Sequence, residues 1–504
     1  MRRVFLLALI VLPSILFCQF FPDLEWQRFY GKSGDDTPGA IALASDGSLL
    51  LGGSTITHRP DEAPDQNAWV VKVDTTGYEL WEREIMLPGR QEIFGLKGTE
   101  DGGVIFCGSS SYVLTHPEPA SRPFRADVLV GRLNALGEVM WVKHYGGTGQ
   151  DRSLAITEGV YNEWLVAGAA HSPGGVGEVR TNLGQSDMWM LKLNQQGEIR
   201  HTESFGGAGS DWANTALTCK NGDFVIAGFS NSTTLDKGPA SLFGNGWVLR
   251  LSPQGKVRWS RLFHCPQGGF FNDATELPDE RICLAGQRTN ADGLEEGWML
   301  KLSPDGAKVQ EKVFANGGIH RLDAVTACQD GGLLLGGSAI GDRGEHAKGG
   351  SDLWLYRLNK QGDIIWKNTY GGPDFERCVA VLEAHKGLFY VLGQKVNDFQ
   401  EEEGSRKRDF WLLRIQELPC EYLQASISVR ARNNTIPTNL RVRFRANDRY
   451  ATRYEWDFGD NTTSGDQDPL KSFRLPGMYR PRLTVYANEG CWRTVRLPNE
   501  LIVE

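Results

Sequence analysis

Hydrophobic residues along most of this chain recur with the two-residue period of β-strands. In Asp352–Gly372, Trp354, Tyr356 and Leu358 occupy every second position, and the residues between them form the other face of the same predicted strand. A short polar segment with Gly362 follows, and it predicts a hairpin turn because glycine adopts positive φ without steric cost. The apolar run after this turn predicts a returning strand, which a glycine pair ends.

This strand pair belongs to a repeat that extends over most of the sequence. Copies aligned on one position of the returning strand are between 52 residues apart (Trp259 to Glu311) and 60 residues apart (Trp81 to Trp141). Each copy holds a loop, a short strand, a tight turn, a second strand, a longer loop and then the strand pair. Four antiparallel strands in each of seven copies predict an all-β fold, a seven-bladed β-propeller. The aligned positions are Trp26, Trp81, Trp141, His201, Trp259, Glu311 and Trp366.

The two ends of the repeat region predict how the ring closes. The last copy ends with the strand at 410–415 and has no returning strand. Leu24–Tyr30 has the pattern of a returning strand but precedes the first complete copy. We therefore expect Leu24–Tyr30 to pair with the final strand at 410–415, because this pairing removes an exposed sheet edge. A parallel β-helix is the structural alternative, but it would lack the two tight turns in each copy.

The strand order also predicts which loops share a face. Loops that precede the first strand of each copy lie on the same face as the long loops between the second and third strands. We expect a ligand on this long-loop face, because binding residues concentrate on loops held by a rigid scaffold. The long loops are 55–67, 109–126, 169–186, 231–245 and 395–408.

A different pattern begins after the last copy. The run Trp456–Asp460 ends a strand in a turn, and Pro476–Tyr479 precedes an alternating strand at 482–486. This segment resembles the PKD domain, which implies an immunoglobulin-like β-sandwich. Cys420 opens the segment and Cys491 follows its penultimate strand. Because such ends can lie close together in a sandwich, we expect a disulfide between these two cysteines.

The propeller copies resemble a bacterial seven-bladed repeat family whose units read Y-G-G-x-G-x-D, then D-G, then D-x-W-x-x-K-L. Tyr145–Asp151 matches the first motif, and Phe205–Asp211 matches it with phenylalanine in place of tyrosine. The second and fifth units depart from the motif, the fifth with Phe263–Pro266 in place of the glycine loop. The resemblance implies an exported protein of the cell surface or extracellular space, and it implies no reaction.

The N-terminus predicts export. Arg2 and Arg3 precede an apolar run that is shorter than the roughly 20 residues needed to span a membrane, which is typical of a signal peptide. Cleavage after Cys18 is expected, and no later stretch is long and apolar enough to span. The alternative is a lipoprotein with lipid on Cys18, but Phe17 is larger than the residue that usually precedes such a cysteine. The predicted parts are thus a signal peptide at 1–18, a propeller at 19–417 and a PKD-like sandwich at 418–504.

Composition and charge narrow the range of partners. The chain is 40% hydrophobic and 23% charged, which is typical of a folded soluble protein. Its net charge of −8 argues against a nucleic-acid partner, which requires a basic face. The sequence predicts no particular oligomeric state.

Two kinds of residue recur with the repeat, and recurrence favours a structural role. Acids follow the loop before the first strand, and we expect each to accept hydrogen bonds from its own loop, with a cation site as the alternative. Tryptophans recur at two positions of each copy, and we expect them to pack between blades rather than to form a glycan platform. The acids are Asp36, Glu92, Asp151, Asp211 and Glu376.

Candidate ligand-binding residues are those that interrupt the repeat on the long-loop face. Trp212 follows the recurring acid Asp211 but lies outside the recurring tryptophan positions. Phe271, which follows Phe270, and the pair His320-Arg321 also break the pattern there. The predicted site is therefore Asp211, Trp212, Phe271, His320 and Arg321.

No catalytic motif is present. The sequence contains no G-x-S-x-G, H-E-x-x-H or C-x-x-C, so we assign no catalytic residue, metal or cofactor. The prediction is an exported non-catalytic binding or scaffold protein of the bacterial surface or extracellular space, with a protein or glycan ligand. The alternatives are a secreted carbohydrate-active hydrolase that uses acids at the channel mouth and a structural envelope component without a soluble ligand.

Overall fold

The computed structural model describes residues 20–57, 65–111, 126–175, 177–233, 244–315, 318–340, 350–397, 407–488 and 490–504. The predicted signal peptide, with Cys18, lies outside the described residues, as does most of the long loops at 109–126 and 395–408. Strands account for nearly all regular structure in the described part. No helix there is long and apolar enough to cross a membrane.

Contacts divide the chain into two units. The larger is Leu24–Gln416, and the smaller combines Glu417–Glu504 with the described residues before Leu24. The strands up to the division are β1 (Phe20–Tyr30), β2 (Asp36–Leu43), β3 (Leu49–Thr57), β4 (Asp65–Val73), β5 (Glu79–Ile85), β6 (Gln91–Gly98), β7 (Val104–Ser110), β8 (Asp127–Leu133), β9 (Val139–Tyr145), β10 (Asp151–Glu158), β11 (Trp164–Ala170), β12 (Asp187–Leu193), β13 (Ile199–Phe205), β14 (Asp211–Thr218), β15 (Phe224–Ser230), β16 (Asn245–Leu251), β17 (Val257–Phe263), β18 (Gly269–Glu276), β19 (Ile282–Thr289), β20 (Glu295–Leu302), β21 (Lys308–Phe314), β22 (Ile319–Ala327), β23 (Leu333–Ile340), β24 (Ser351–Leu358), β25 (Ile364–Tyr370), β26 (Arg377–His385), β27 (Leu388–Asn397) and β28 (Lys407–Pro419).

The larger unit is a series of four-stranded antiparallel sheets. Strands consecutive in sequence form the sheets β2–β5, β6–β9, β10–β13, β14–β17, β18–β21 and β22–β25. A further sheet has the order β1-β28-β27-β26, so that the N-terminal strand lies beside β28. This is a β-propeller-like arrangement.

Tight turns join the strands within each sheet. At the β2–β3 turn, the Gly47 amide donates to the carbonyl oxygen of Ala44 at 3.0 Å, and Asp46 accepts a hydrogen bond from the Ser48 amide at 3.0 Å. Gly47 has φ +81°, a conformation that glycine adopts without strain. The Asp-Gly signal in the sequence therefore corresponds to a real hairpin turn.

The first strands of successive sheets lie beside one another. β2 contacts β6, and the contacts continue through β10, β14, β18 and β22 to β26, which also contacts β2. Each of these strands has a β-bulge near its start, for example between Pro38 and Ala40 in β2 and between Ala213 and Thr215 in β14. A bulge bends a strand and strengthens its twist. The shared bulge shows which positions of the first strands are equivalent.

The recurring tryptophans pack between neighbouring sheets, as the repeat predicts. Those on the third strands, such as Trp298 and Trp354, are no more than 3% exposed. Trp354 lies in one apolar cluster with Leu277 and Cys283 of the preceding sheet. On the fourth strands, Trp81 donates from Nε1 to the carbonyl oxygen of Ala135 in the next sheet at 3.0 Å.

The smaller unit has its own apolar core. Phe444, Trp456, Phe473 and Leu483 are all no more than 1% exposed there. Its elements are a short 3₁₀ helix (Cys420–Tyr422), β29 (Ala425–Val429), β30 (Thr435–Ile436), β31 (Val442–Asp448), β32 (Arg453–Asp457), β33 (Thr463–Ser464), β34 (Leu470–Lys471), β35 (Gly477–Tyr479), β36 (Arg482–Asn488), β37 (Cys491–Arg496) and β38 (Leu501–Val503). They form the sheets β33-β32-β36-β37, β29-β31-β34 and β30-β38-β35.

Cys420 and Cys491 meet in this unit. Their sulfur atoms lie within bonding distance, and their α-carbons are 5.4 Å apart, inside the range that disulfides allow. Both residues contact the core of the unit, and Cys491 is fully buried.

Candidate functional site

The recurring acids are bound to the loops that precede them. Asp211 is fully buried and accepts hydrogen bonds from the Gly207 amide at 2.9 Å and the Ser232 hydroxyl at 2.7 Å. Asp151 accepts the equivalent hydrogen bond from the Gly147 amide at 2.9 Å. These carboxylates therefore hold their own backbone, as the recurrence predicts.

Two further acids of the set have the same role. Asp36 accepts from the Lys32 amide at 2.7 Å, and Glu376 accepts from the Gly372 amide at 3.1 Å. Glu376 also forms an ion pair with Lys395, with 3.2 Å between Oε1 and Nζ. Burial raises the pKa of Asp36 to about 7.

Glu92 does not occupy the equivalent position in the second unit. In β14, Asp211 pairs with Ser230, the last residue of the second strand. In β6, the residue that pairs with the last residue of the second strand, Ser110, is Gln91. Gln91 is fully buried, whereas Glu92 comes one place later and is half-buried. The assignment of Glu92 to the acid series is therefore wrong: the loop at 86–90 has five residues, as the loop at 206–210 does, and the position that follows it is Gln91.

The next residue of each first strand forms what we call the mouth ring. It lies two places before the bulge, and its side chain is half-buried or exposed, although the residues on either side of it are buried. Because side chains alternate between the faces of a strand, this residue faces away from the buried side. The preceding position holds an acid in four of the seven strands, whereas this position holds five different residue types. The mouth ring consists of Thr37, Glu92, Arg152, Trp212, Phe270, Arg321 and Arg377.

The side chain of Trp212 is held in place by several neighbouring side chains. Its Nε1 donates to the Ser186 hydroxyl at 2.7 Å, which fixes the plane of the indole. The guanidinium carbon of Arg152 lies 5.3 Å from the centre of the Trp212 ring, within the range of a cation–π contact. His171 and Phe229 flank the indole with ring centres at 6.5 and 5.4 Å.

The arginines of the mouth ring differ in their partners. Arg321 forms an ion pair with Glu295, with 2.6 Å between Nε and Oε2. Arg377 is exposed, and no carboxylate of the described residues lies within ion-pair distance of it, although Asp323 attracts it from farther away. The Nε atom of Arg152 is buried and has no hydrogen-bond partner among the described residues.

The structure separates the residues of the predicted site. Trp212 and Arg321 belong to the mouth ring, whereas Asp211 is the loop acid behind Trp212. Phe271 is fully buried and stacks on Trp298 with ring centres 4.7 Å apart, so it belongs to the core and is not available to a ligand. His320 occupies the buried acid position of its own strand and is 3% exposed.

Three members of the mouth ring are absent from the predicted site. Phe270, Arg152 and Arg377 lie at the position of Trp212 on other first strands. A search one residue beyond each recurring acid would have found Arg152 and Arg377. Phe270 lacked this signal, because Gly269 stands where the acid would be.

No group of three histidines, cysteines or acids in the described ranges could hold a metal ion. The six cysteines of the larger unit that the structure describes are all buried and form no disulfide. Each therefore acts as a small apolar residue in the packing.

Because several acids are buried, we expect the free energy of unfolding of the larger unit to rise as the pH falls. Burial raises the pKa of Asp36 to about 7, and that of Asp187 and Asp323 to about 6. Between pH 4 and 7 these three acids therefore bind more protons in the folded unit than in the unfolded chain. Acidification from about pH 7 to 5 should increase the free energy of unfolding by on the order of 2 kcal/mol. Burial lowers the pKa of His144 and His171, and these two groups oppose the effect in the same pH range. Asp46, with a pKa lowered to about 2, opposes it only at lower pH.

Thermal unfolding at about pH 7, 6 and 5 would measure this effect. Asp36→Asn is the matched variant, since its amide oxygen can still accept from Lys32 but does not titrate. We expect a smaller pH dependence in this variant. A midpoint that falls steadily on acidification of the unmodified protein would contradict the prediction.

The described residues define an all-β protein with a β-propeller-like unit and a second, smaller β unit. Residues 427–497 match the family model of the PKD domain, which confirms the resemblance of the C-terminal segment. A comparison with curated proteins finds no match.

Several solved structures are similar to the chain at low identity. Hydrazine synthase of Kuenenia stuttgartiensis has 11% identity and a TM-score of 0.45, covering 77% of this chain and 97% of that one. A protein of unknown function from Dyadobacter fermentans has 10% identity and a TM-score of 0.44, covering 78% and 99%. The PQQ-bound aldose sugar dehydrogenase of Streptomyces coelicolor has 12% identity and a TM-score of 0.36, covering 80% and 99%.

Proposed function

We propose that this chain is an exported, non-catalytic binding protein whose ligand, a glycan or a protein, contacts the mouth ring. One observation carries the proposal. The loop acids repeat and are bound to their own loops, while the next residue of each first strand varies and is open to solvent. An acid is present at four of the seven loop positions, whereas the mouth ring holds five residue types and no shared contact to its own loop. This variation favours a role in recognition over a role in the fold.

We propose that the larger unit is a seven-bladed propeller closed by its N-terminal strand. Support comes from the pairing of β1 with β28 and from the contact of β26 with β2. Trp26 of β1 also lies against Gly77 of sheet β2–β5, as Trp81 lies against Gly137 of the following sheet. The proposed boundaries remain 19–417 for the propeller and 418–504 for the PKD-like sandwich.

Export to the cell surface or the extracellular space is part of the proposal. The predicted signal peptide at 1–18 supports it, and lipid attachment at Cys18 stays an alternative. A disulfide between Cys420 and Cys491 would also suit an oxidising compartment. PKD domains commonly take part in binding, which agrees with the role we propose.

The hydrolase alternative gains no support from the acids. A glycosidase needs a pair of carboxyl groups that face the scissile bond. Asp36, Asp151, Asp211 and Glu376 are occupied by their own loops. The mouth ring itself holds one carboxylate, Glu92, which accepts a hydrogen bond from Gln66 at 2.8 Å.

Glycan binding by the mature full-length chain tests the proposal. We expect Trp212→Ala to weaken binding about tenfold or more, because buried aromatic anchors dominate recognition sites. Trp492→Ala is the matched control, since Trp492 is 60% exposed on the smaller unit. Binding that survives Trp212→Ala, or that is lost equally in the control, would contradict the mouth ring as the site.

A further inference from the structure

We infer that the mouth ring recognises a carboxylate-bearing sugar, of the kind found in uronate-rich polysaccharides. The inference rests on the proposed function and specifies the chemical class of its ligand. It is drawn from the charge of the mouth ring, from the arginines that have no acidic partner, and from the two aromatic side chains beside them.

The mouth ring carries a positive charge on a protein that is acidic as a whole. Three arginines stand against one carboxylate at this position, while the chain has a net charge of −8. The net charge of the chain therefore does not favour a polyanion. Binding of an anion would have to come from a local group of cations.

The acids near the mouth ring already have partners. Glu295 is paired with Arg321, and Glu376 with Lys395. Asp323 accepts a hydrogen bond from the Ser338 hydroxyl at 2.7 Å. Asp35 forms an ion pair with Arg408 at 3.5 Å, and Glu92 is bound to Gln66.

Two arginines are left for a ligand. Arg377 has no carboxylate of the described residues within ion-pair distance, and Arg152 has a buried Nε without a hydrogen-bond partner among them. Neither guanidinium has a carboxylate of the described residues within ion-pair distance, so its charge is available to an anionic ligand. The planar guanidinium suits a carboxylate, because it can donate two parallel hydrogen bonds to it.

The aromatic side chains favour a sugar over a simple anion. Trp212 and Phe270 are half-buried and occupy equivalent positions on adjacent first strands, β14 and β18. The indole of Trp212 is held in place by Ser186 and covered in part by Arg152. An apolar ring face beside a guanidinium matches a sugar that has C–H groups on one face and a carboxylate at its edge.

Binding of the mature chain to polygalacturonate tests the inference. We expect binding that weakens as salt rises from about 0.05 to 0.5 M, since exposed charges are screened. Arg377→Ala and Arg152→Ala should each weaken it about tenfold, and Arg377→Lys by a smaller factor because lysine lacks the bidentate geometry. Arg200→Ala, an exposed arginine on β13, is the control and should bind normally. Each variant should keep the thermal midpoint of the unmodified protein.

Two further polymers distinguish the ligand chemistry. Methyl-esterified polygalacturonate lacks the charge and should not bind, and dextran sulfate should bind more weakly than polygalacturonate. Equal binding of the ester, a preference for the sulfate, or equal loss in Arg200→Ala would overturn the inference. If a neutral glycan binds in a Trp212-dependent way while polygalacturonate does not, the inference fails and the proposed function stands. If no polymer binds, both the inference and a glycan ligand are contradicted.

Discussion

Replacement of Phe271 by alanine is expected to lower the free energy of unfolding of the larger unit by about 4 kcal/mol. Phe271 is fully buried, stacks on Trp298 and fills the space above Gly246 of the preceding sheet. Its removal leaves a cavity between two sheets that the rigid strands cannot close. Denaturant unfolding followed by tryptophan fluorescence would measure the loss.

The neighbouring Phe270 provides the matched control. It is half-buried and belongs to the mouth ring, so Phe270→Ala should change the free energy of unfolding by less than about 1 kcal/mol. The same variant should weaken ligand binding. If both variants were equally unstable, or if Phe271→Ala were as stable as the unmodified protein, the division between core and mouth ring would be wrong.

Loss of the link between Cys420 and Cys491 is expected to destabilise the smaller unit by about 4 kcal/mol. The two cysteines are 71 residues apart in sequence, so a bond between them restricts a large part of the unfolded chain. Reduction of the unmodified protein and the double variant Cys420→Ser, Cys491→Ser should lower the same thermal transition. The transition of the larger unit, whose described cysteines form no disulfide, should not change.

A mass map of the non-reduced protein tests the bond directly. Peptides that contain Cys420 and Cys491 should be recovered as one linked species, and they should separate on reduction. Recovery of both cysteines as free thiols would show that the bond does not form.

The loop acids and the mouth ring show how a repeat can carry both structure and recognition. Each carboxylate such as Asp211 organises its loop, and this fixes the start of the first strand. The next side chain then has a defined direction whatever its identity. Substitution there changes the surface without changing the fold, which is the property a binding site needs.

Much of this protein can be predicted from its sequence. The two-residue period, the Asp-Gly turns and the regular spacing of the copies predict four-stranded sheets, because these features act locally on the backbone. The PKD resemblance predicts the smaller unit for the same reason, since the run Trp456–Asp460 and the strand at 482–486 are local patterns. The structural role of the acids can also be predicted from the sequence, because a residue that recurs in the copies is expected to stabilise the loop that recurs with it.

The tertiary structure decided which of the unusual residues are open to solvent. Phe270 and Phe271 are the same residue type and adjacent in sequence. The pleat of the strand places Phe271 in the core and leaves Phe270 half-buried on the opposite side. His320 and Arg321 are separated in the same way. Arg152 and Arg377 are more than 200 residues apart in sequence, and their equivalence depends on the register of two different sheets. Strands and turns can be predicted from the sequence because they follow from local patterns. The direction in which a single side chain faces depends on strand register and on the loop before the strand.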